Sequence, residues 1–181
     1  MPKILSLSPT TFKHHIGIDP GQNGGLVRLS NGKPSTGLDC IPMPATERDI
    51  WDWFRTAGPY GSPPRDEIRA CIEKVHSMPH QGVSSTFKFG VGYGGLRMAL
   101  IATGIPFEEV TPQEWQKAFR IPPRKKHKKG RETVWDESPK QFKQRLRAKA
   151  QQLFPQVQVT LFTCDALLIA EFSRRKSEGK L

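Results

Sequence analysis

The stretch HHIGIDPGQNGGLVRLS, His14 to Ser30, leaves its backbone few choices. Two short apolar runs, Ile16–Ile18 and Leu26–Leu29, flank an Asp-Pro-Gly turn that is followed by a Gly-Gly pair. That pattern predicts two antiparallel strands with a tight connection. After the turn NGKPSTG, the run LDCIPM reads as a third antiparallel strand. One acid, Asp19, stands at the tip of the first strand. As a bare residue it makes a good turn; in a site it is a cation ligand.

The rest of the chain alternates between the two periodicities. TERDIWDWFRTAG predicts a helix capped by Thr46, with Ile50, Trp53 and Phe54 on one face. IRACIEKV predicts a strand with Ile68, Ala70 and Ile72 alternating and Glu73 near its far end. SSTFKFGVGYGGLRMALIATG predicts a long helix capped by Ser84 or Ser85 and stopped by Gly104. IPFEEV is a short strand, and TPQEWQKAF opens a helix with Thr111 as cap, Pro112 first and Glu114 closing a capping box. SPKQFKQRLRAKAQQLF predicts a helix capped by Ser138, with Phe142, Leu146, Ala150 and Leu153 buried and Lys143 and Arg147 on a basic outer face. TCDALLIAEFSRRK predicts a final helix with Asp165 in its first turn and Arg174, Arg175 and Lys176 in its last, matching the helix dipole at both ends. Three antiparallel strands running into α/β units make an α/β fold, a mixed five-stranded sheet flanked by helices. The expected organisation is an extension at 1–13, one domain over 14–176 and a tail at 177–181.

Between Arg120 and Arg131 lie seven Arg or Lys residues with no hydrophobic period, so 120–138 reads as a solvated basic loop. The whole chain of 181 residues carries a net charge of +11 and a pI near 9.9, with a mean hydropathy of −0.53. Such a charge favours a polyanionic partner, and the loop is a natural phosphate contact. No apolar run reaches the ~20 residues of a spanning helix, and no secretory signal is visible, so no membrane partner and a soluble, intracellular protein are expected. Cys40, Cys71 and Cys164 are widely spaced, which suggests neither a zinc site nor a disulfide framework.

Asp19, Glu73 and Asp165 sit at two strand ends and one helix start, where only folding can unite them. Each alone has an ordinary explanation as a turn, strand-end or helix-dipole residue. Together in so basic a chain they suggest Mg²⁺, a hard cation that takes oxygen ligands and in pairs clamps a phosphodiester for in-line attack.

IGIDPGQNGGLVRL, the block from CIEKVHSMPHQG to TPQEWQKAF, and CDALLIAEF resemble the motifs of RuvC-type Holliday junction resolvases, in the RNase H-like superfamily. The resemblance runs from Ile16 to Phe172 with gaps and is nearest the phage-borne and chloroplast-type branch. It implies an RNase H-like fold and a homodimeric endonuclease that makes paired symmetric nicks in four-way DNA. Asp19, Glu73 and Asp165 would be its catalytic and metal-binding residues, with two Mg²⁺ per site and Mn²⁺ as a substitute. The family carries a further ligand three residues before the last Asp; here that position is Phe162, and Glu171, His127 and Asp136 are the candidate replacements. A junction- or duplex-binding protein that has lost the chemistry is the alternative.

Expected DNA contacts are Ser84, Ser85, Phe87 and Lys88 at the long helix start, with Arg124, Lys125, Lys126, Lys128, Lys129 and Arg131 in the basic loop and Lys143 beyond it. Phe87 is the expected wedge against unpaired bases, and Phe89 the expected core residue. Gly90 and Gly94 suit a close helix contact between two copies. IGIDPG also resembles the phosphate loop of sugar kinases and actin-like ATPases, but this chain is too short for their second lobe.

Overall fold

Alternation along the strands sorts the side chains onto two faces of one sheet, and the parity of each residue decides what it meets. The computed structural model describes residues 12–31, 38–56, 64–75, 82–129 and 132–181. Its sheet runs β3(Leu38–Pro42)–β2(Gly25–Ser30)–β1(His14–Asp19)–β4(Ile68–Glu73)–β5(Phe107–Val110). β1 pairs antiparallel with β2 and parallel with β4; β3 and β5 extend the antiparallel and parallel sides respectively. The expected mixed sheet is the one observed.

Ile16 and Ile18 of β1, Leu26 of β2 and Ile68, Ala70 and Ile72 of β4 point to one face. There they pack under α1(Glu47–Arg55), through Ile50 and Phe54, and under α2(Val83–Ala102), through Leu96 and Leu100. Val27, Leu29 and Cys71 point to the other face, against α5(Cys164–Ser177). That helix is buried from Cys164 to Ser173, covered outside by α3(Pro112–Ala118) and by Leu146 and Ala150 of α4(Pro139–Leu153). Gly17 explains the closeness: a Cβ there would overlap the backbone of Ala166 and Ala170. Only a missing side chain lets α5 lie so near β1.

The caps at Thr46, Thr111 and Ser138 are present, the last two as complete capping boxes. Gly104 follows the end of α2 at φ +68°. Two expectations need correction. α2 begins at Val83 behind Gly82, with no side-chain cap, so Ser84 and Ser85 lie inside its first turn. The basic loop is not irregular: β6(Lys126–Lys129) and β7(Glu132–Trp135) form an antiparallel hairpin. Both faces of β6 are exposed, so the segment carries no apolar alternation to announce it. Arg124 pins its base, donating from Nη2 to the Glu137 carbonyl at 2.6 Å and lying 4.4 Å over the Trp135 ring.

His15 is fully buried on the α5 face, its Nδ1 3.2 Å from Ser173 Oγ and its Nε2 without a partner among the described residues. Burial drives its pKa down to about 4. The fold therefore holds the ring neutral, while the unfolded chain protonates it near 6.5. Stability is complete above pH 6.5 and falls as pH drops toward 4, by up to about 3 kcal/mol. Denaturant melts from pH 7 to pH 4 should show this slope, and His15→Gln should flatten it; an unaltered slope would assign the acid sensitivity elsewhere.

Candidate functional site

Asp19 and Glu73 share the parity of Gly17 and Cys71, so both belong to the sheet face that α5 covers. The β1–β4 register pairs Ile18 with Ile72, which sets the two acids on neighbouring strand ends. Asp165 lies in the first turn of α5, at the same end of the sheet. Gly24 closes the turn tightly behind Asp19, since a Cβ there would sit 2.7 Å from the Asp19 Cγ.

The link between the acids is a lysine. Lys143 Nζ of α4 donates to Asp165 Oδ2 at 2.6 Å and to Asp19 Oδ2 at 3.1 Å. This corrects its placement on a basic outer face. Lys143, Leu146 and Ala150 follow one another at i, i+3 and i+7, so Lys143 heads the buried stripe and its stem lies along it. Burial opposes its charge, but Asp165 and Asp19 outweigh that and hold the ammonium above its ordinary range. Asp165 is nevertheless pushed up, because burial and the Asp19 charge exceed what Lys143 gives back.

Glu73 completes the group. Its Oε1 accepts from Trp115 Nε1 at 3.0 Å. Burial first and the Asp19 charge second raise its pKa to about 8, with Asp165 adding to the effect. Among the described residues, no three His, Cys, Asp or Glu side chains stand close enough to form a ready metal cage. The pocket holds two acids on one ammonium, with a third acid beside them and held by an indole. Hard oxygen donors, excess negative charge and a cation already seated between them fit a divalent ion.

The candidate replacements for Phe162 are all engaged elsewhere. Glu171 is buried under Arg174 and Arg175 at 2.8 Å each, and His127 pairs with Asp136 at 2.8 Å on the hairpin. Phe162 itself is exposed. Trp115 and the inward-turned Lys143 were the residues that sequence reasoning did not assign to the site. The signal for Lys143 was its spacing from Leu146 and Ala150; for Trp115 it was a buried indole in need of an acceptor.

Of the expected DNA contacts, Ser84, Ser85, Lys88 and Phe87 are exposed, Phe87 at 71%. Phe89 instead turns onto Tyr93, ring centroids 6.5 Å apart. Lys88 lines a cavity of about 450 Å³ with Pro20, Gln22, Met43 and Phe89, just beyond Asp19. Lys125 ends the segment entering β6, its carbonyl accepting from the Asp136 amide. Lys126, Lys128 and Lys129 are exposed on β6; Arg131 lies outside the described residues. Among the described residues, nothing lies within 4 Å of where a Cβ at Gly90 or Gly94 would sit. No described helix is long and apolar enough to cross a membrane.

Compared by sequence, the chain matches no family model and no curated protein. Compared by structure, it is similar to RuvC of Thermus thermophilus at 13% identity and a TM-score of 0.54, covering 92% of this chain and 97% of that one. The fold is RuvC-like. A second solved structure, T. thermophilus RuvC in complex with Holliday junction substrate, matches at 12% identity and a TM-score of 0.56 over the same shares of both chains. At such identities the RuvC-like fold is what the two proteins share.

Proposed function

We propose that the protein is a divalent-metal-dependent endonuclease that nicks four-way DNA junctions in pairs, on the pattern of the phage-borne and chloroplast-type resolvases. The observation that carries this reading is the Lys143 bridge between Asp19 and Asp165 at one end of the sheet, with Glu73 on the neighbouring strand end. Asp19, Glu73 and Asp165 would hold the metal, Mg²⁺ or Mn²⁺, two ions per site. Bound there, the metal supplies an activated water and charge neutralisation for a departing 3′ oxygen.

The chain's own residues set the terms. Lys143 holds Asp19 and Asp165 in orientation while the site waits, and its displacement frees both carboxylates. Trp115 fixes the rotamer of Glu73. Phe87, exposed at the start of α2, supports a wedge at unpaired bases, with Ser84, Ser85 and Lys88 gripping phosphate nearby. Arg124, Lys125, Lys126, Lys128 and Lys129 would grip the backbone from β6 and the segment entering it, and Arg131 is a further proposed contact. Lys143 would meet the backbone only after leaving the acids.

A second copy would cover α2. Phe87, Val91, Met98 and Ile101 are 50–71% exposed and, with Gly94, repeat at alternating steps of four and three, the spacing of a helix seam. Gly90 and Gly94 would let the two helices approach closely. Two copies present two sets of acids, as two symmetric cuts require.

The test is incubation with a synthetic four-way junction and Mg²⁺, with a Phe162→Asp variant alongside. Paired nicks at symmetric positions support the reading. Tight binding without nicks in either protein would favour a junction-binding protein without chemistry, for which the exposed Phe162 is the supporting observation.

A further inference from the structure

Asp165 opens α5, and Arg175 lies ten residues later, a rise of about 15 Å along the helix. At that far end two adjoining grooves gather positive charge that the site at the acids does not use. One, of about 820 Å³, is lined by Lys117, Arg120, Lys149, Arg175, Lys176 and Lys180 among others. The other, of about 380 Å³, shares Arg120 and Lys149 with it and continues between α3 and α4.

The acids nearby are already engaged. Arg175 pairs with Glu171, Lys176 with Glu108 and Lys180 with Glu178, each at 2.8 Å. Glu114, on the rim, is folded back onto the Thr111 cap. Lys117, Arg120 and Lys149 have no ion-pair partner among the described residues, so their charge faces the groove. Arg175 and Lys176 lie over the rings of Phe119 and Phe172, at 5.0 and 5.7 Å.

Arg120 adds an independent observation. It is the one non-glycine residue with positive φ among the described residues, at +55°. Its amide bonds the Lys117 carbonyl and that of Ile121 bonds Gln116, closing the end of α3 where glycine is the usual residue. A left-handed arginine costs stability that glycine would not. Ending the helix gives no reason for it; a guanidinium delivered to the groove does.

We infer that this groove is a second DNA contact, which grips the sugar–phosphate backbone of a duplex arm away from the acids. It rests on the reading of the substrate as DNA and adds to it a contact that chemistry does not require. A protein partner fits less well, because Phe119 and Phe172 are buried under the cations and Leu181 is the one large apolar side chain exposed on the lining, among six cations. Lysines and arginines around an open groove suit a line of phosphates.

The experiment measures junction affinity against salt, without metal, for wild type and for the triple variant Lys117→Ala, Arg120→Gly, Lys149→Ala. Binding should weaken by about tenfold near physiological salt, and the log–log salt slope should become shallower by about 3. The nicking rate at saturating protein should stay unchanged, since the acids are untouched. Arg120→Gly alone separates binding from structure: it should melt at a higher temperature yet bind more weakly. A triple variant that binds with the wild-type slope overturns the groove and leaves the nuclease reading standing. A wild-type protein that binds no junction overturns both.

Discussion

Asp19→Asn and Asp165→Asn should each lower the junction nicking rate by about three orders of magnitude or more while leaving binding intact or tighter. Each change removes one negative charge and one hard oxygen donor from the place where Lys143 already reports a demand for positive charge. Binding should persist because the hairpin and the start of α2 are untouched, and the lost charge would otherwise repel an approaching phosphate. Glu73→Gln belongs to the same set, with its bond to Trp115 preserved through the amide oxygen. Gel assays on a four-way junction, with affinity measured in parallel, separate the two effects. Retained nicking in any of the three would remove that residue from the reaction.

Lys143→Met should have the largest effect on stability, and its size should depend on metal. Met fills the same channel alongside Leu146 but leaves Asp19 and Asp165, both largely buried, without their shared cation. Stripping one partner from a buried ionic group costs about 3 kcal/mol or more in metal-free buffer. Mg²⁺ should then recover most of that loss, so the melting temperature should respond to Mg²⁺ more steeply in the variant than in wild type. Thermal melts with and without Mg²⁺ give the comparison directly. Equal responses would mean that Lys143 and the metal do not compete for one place.

Much of this arrangement was legible in the chain before it folded. Apolar alternation in β1 and β4 put Asp19 and Glu73 on strand ends, but that both face α5 depends on the β1–β4 register, which no local pattern carries. The capping box at Thr111 and the cap at Ser138 were legible in the sequence, because such signals involve residues three apart. What local patterns could not supply was partnership across the fold. Lys143 read as a surface lysine because a charged residue on an amphipathic helix usually is one; only the meeting of α4 with the start of α5 turns it inward. The hairpin at Lys126–Trp135 was hidden for a different reason. Its stability comes from the Arg124 anchor and the Trp135 stack rather than from a buried face, so it leaves no period-two trace. Phe162 stood out in sequence and stands out in space, exposed where the resemblance would place a ligand.

The most direct measurement is the anomalous signal of Mn²⁺ in crystals of the protein. Mn²⁺ should be bound by Asp19, Asp165 and Glu73, with the Lys143 ammonium withdrawn from between the two aspartates. Mn²⁺ bound only elsewhere, with Lys143 still joining Asp19 to Asp165 at saturating metal, would contradict this assignment.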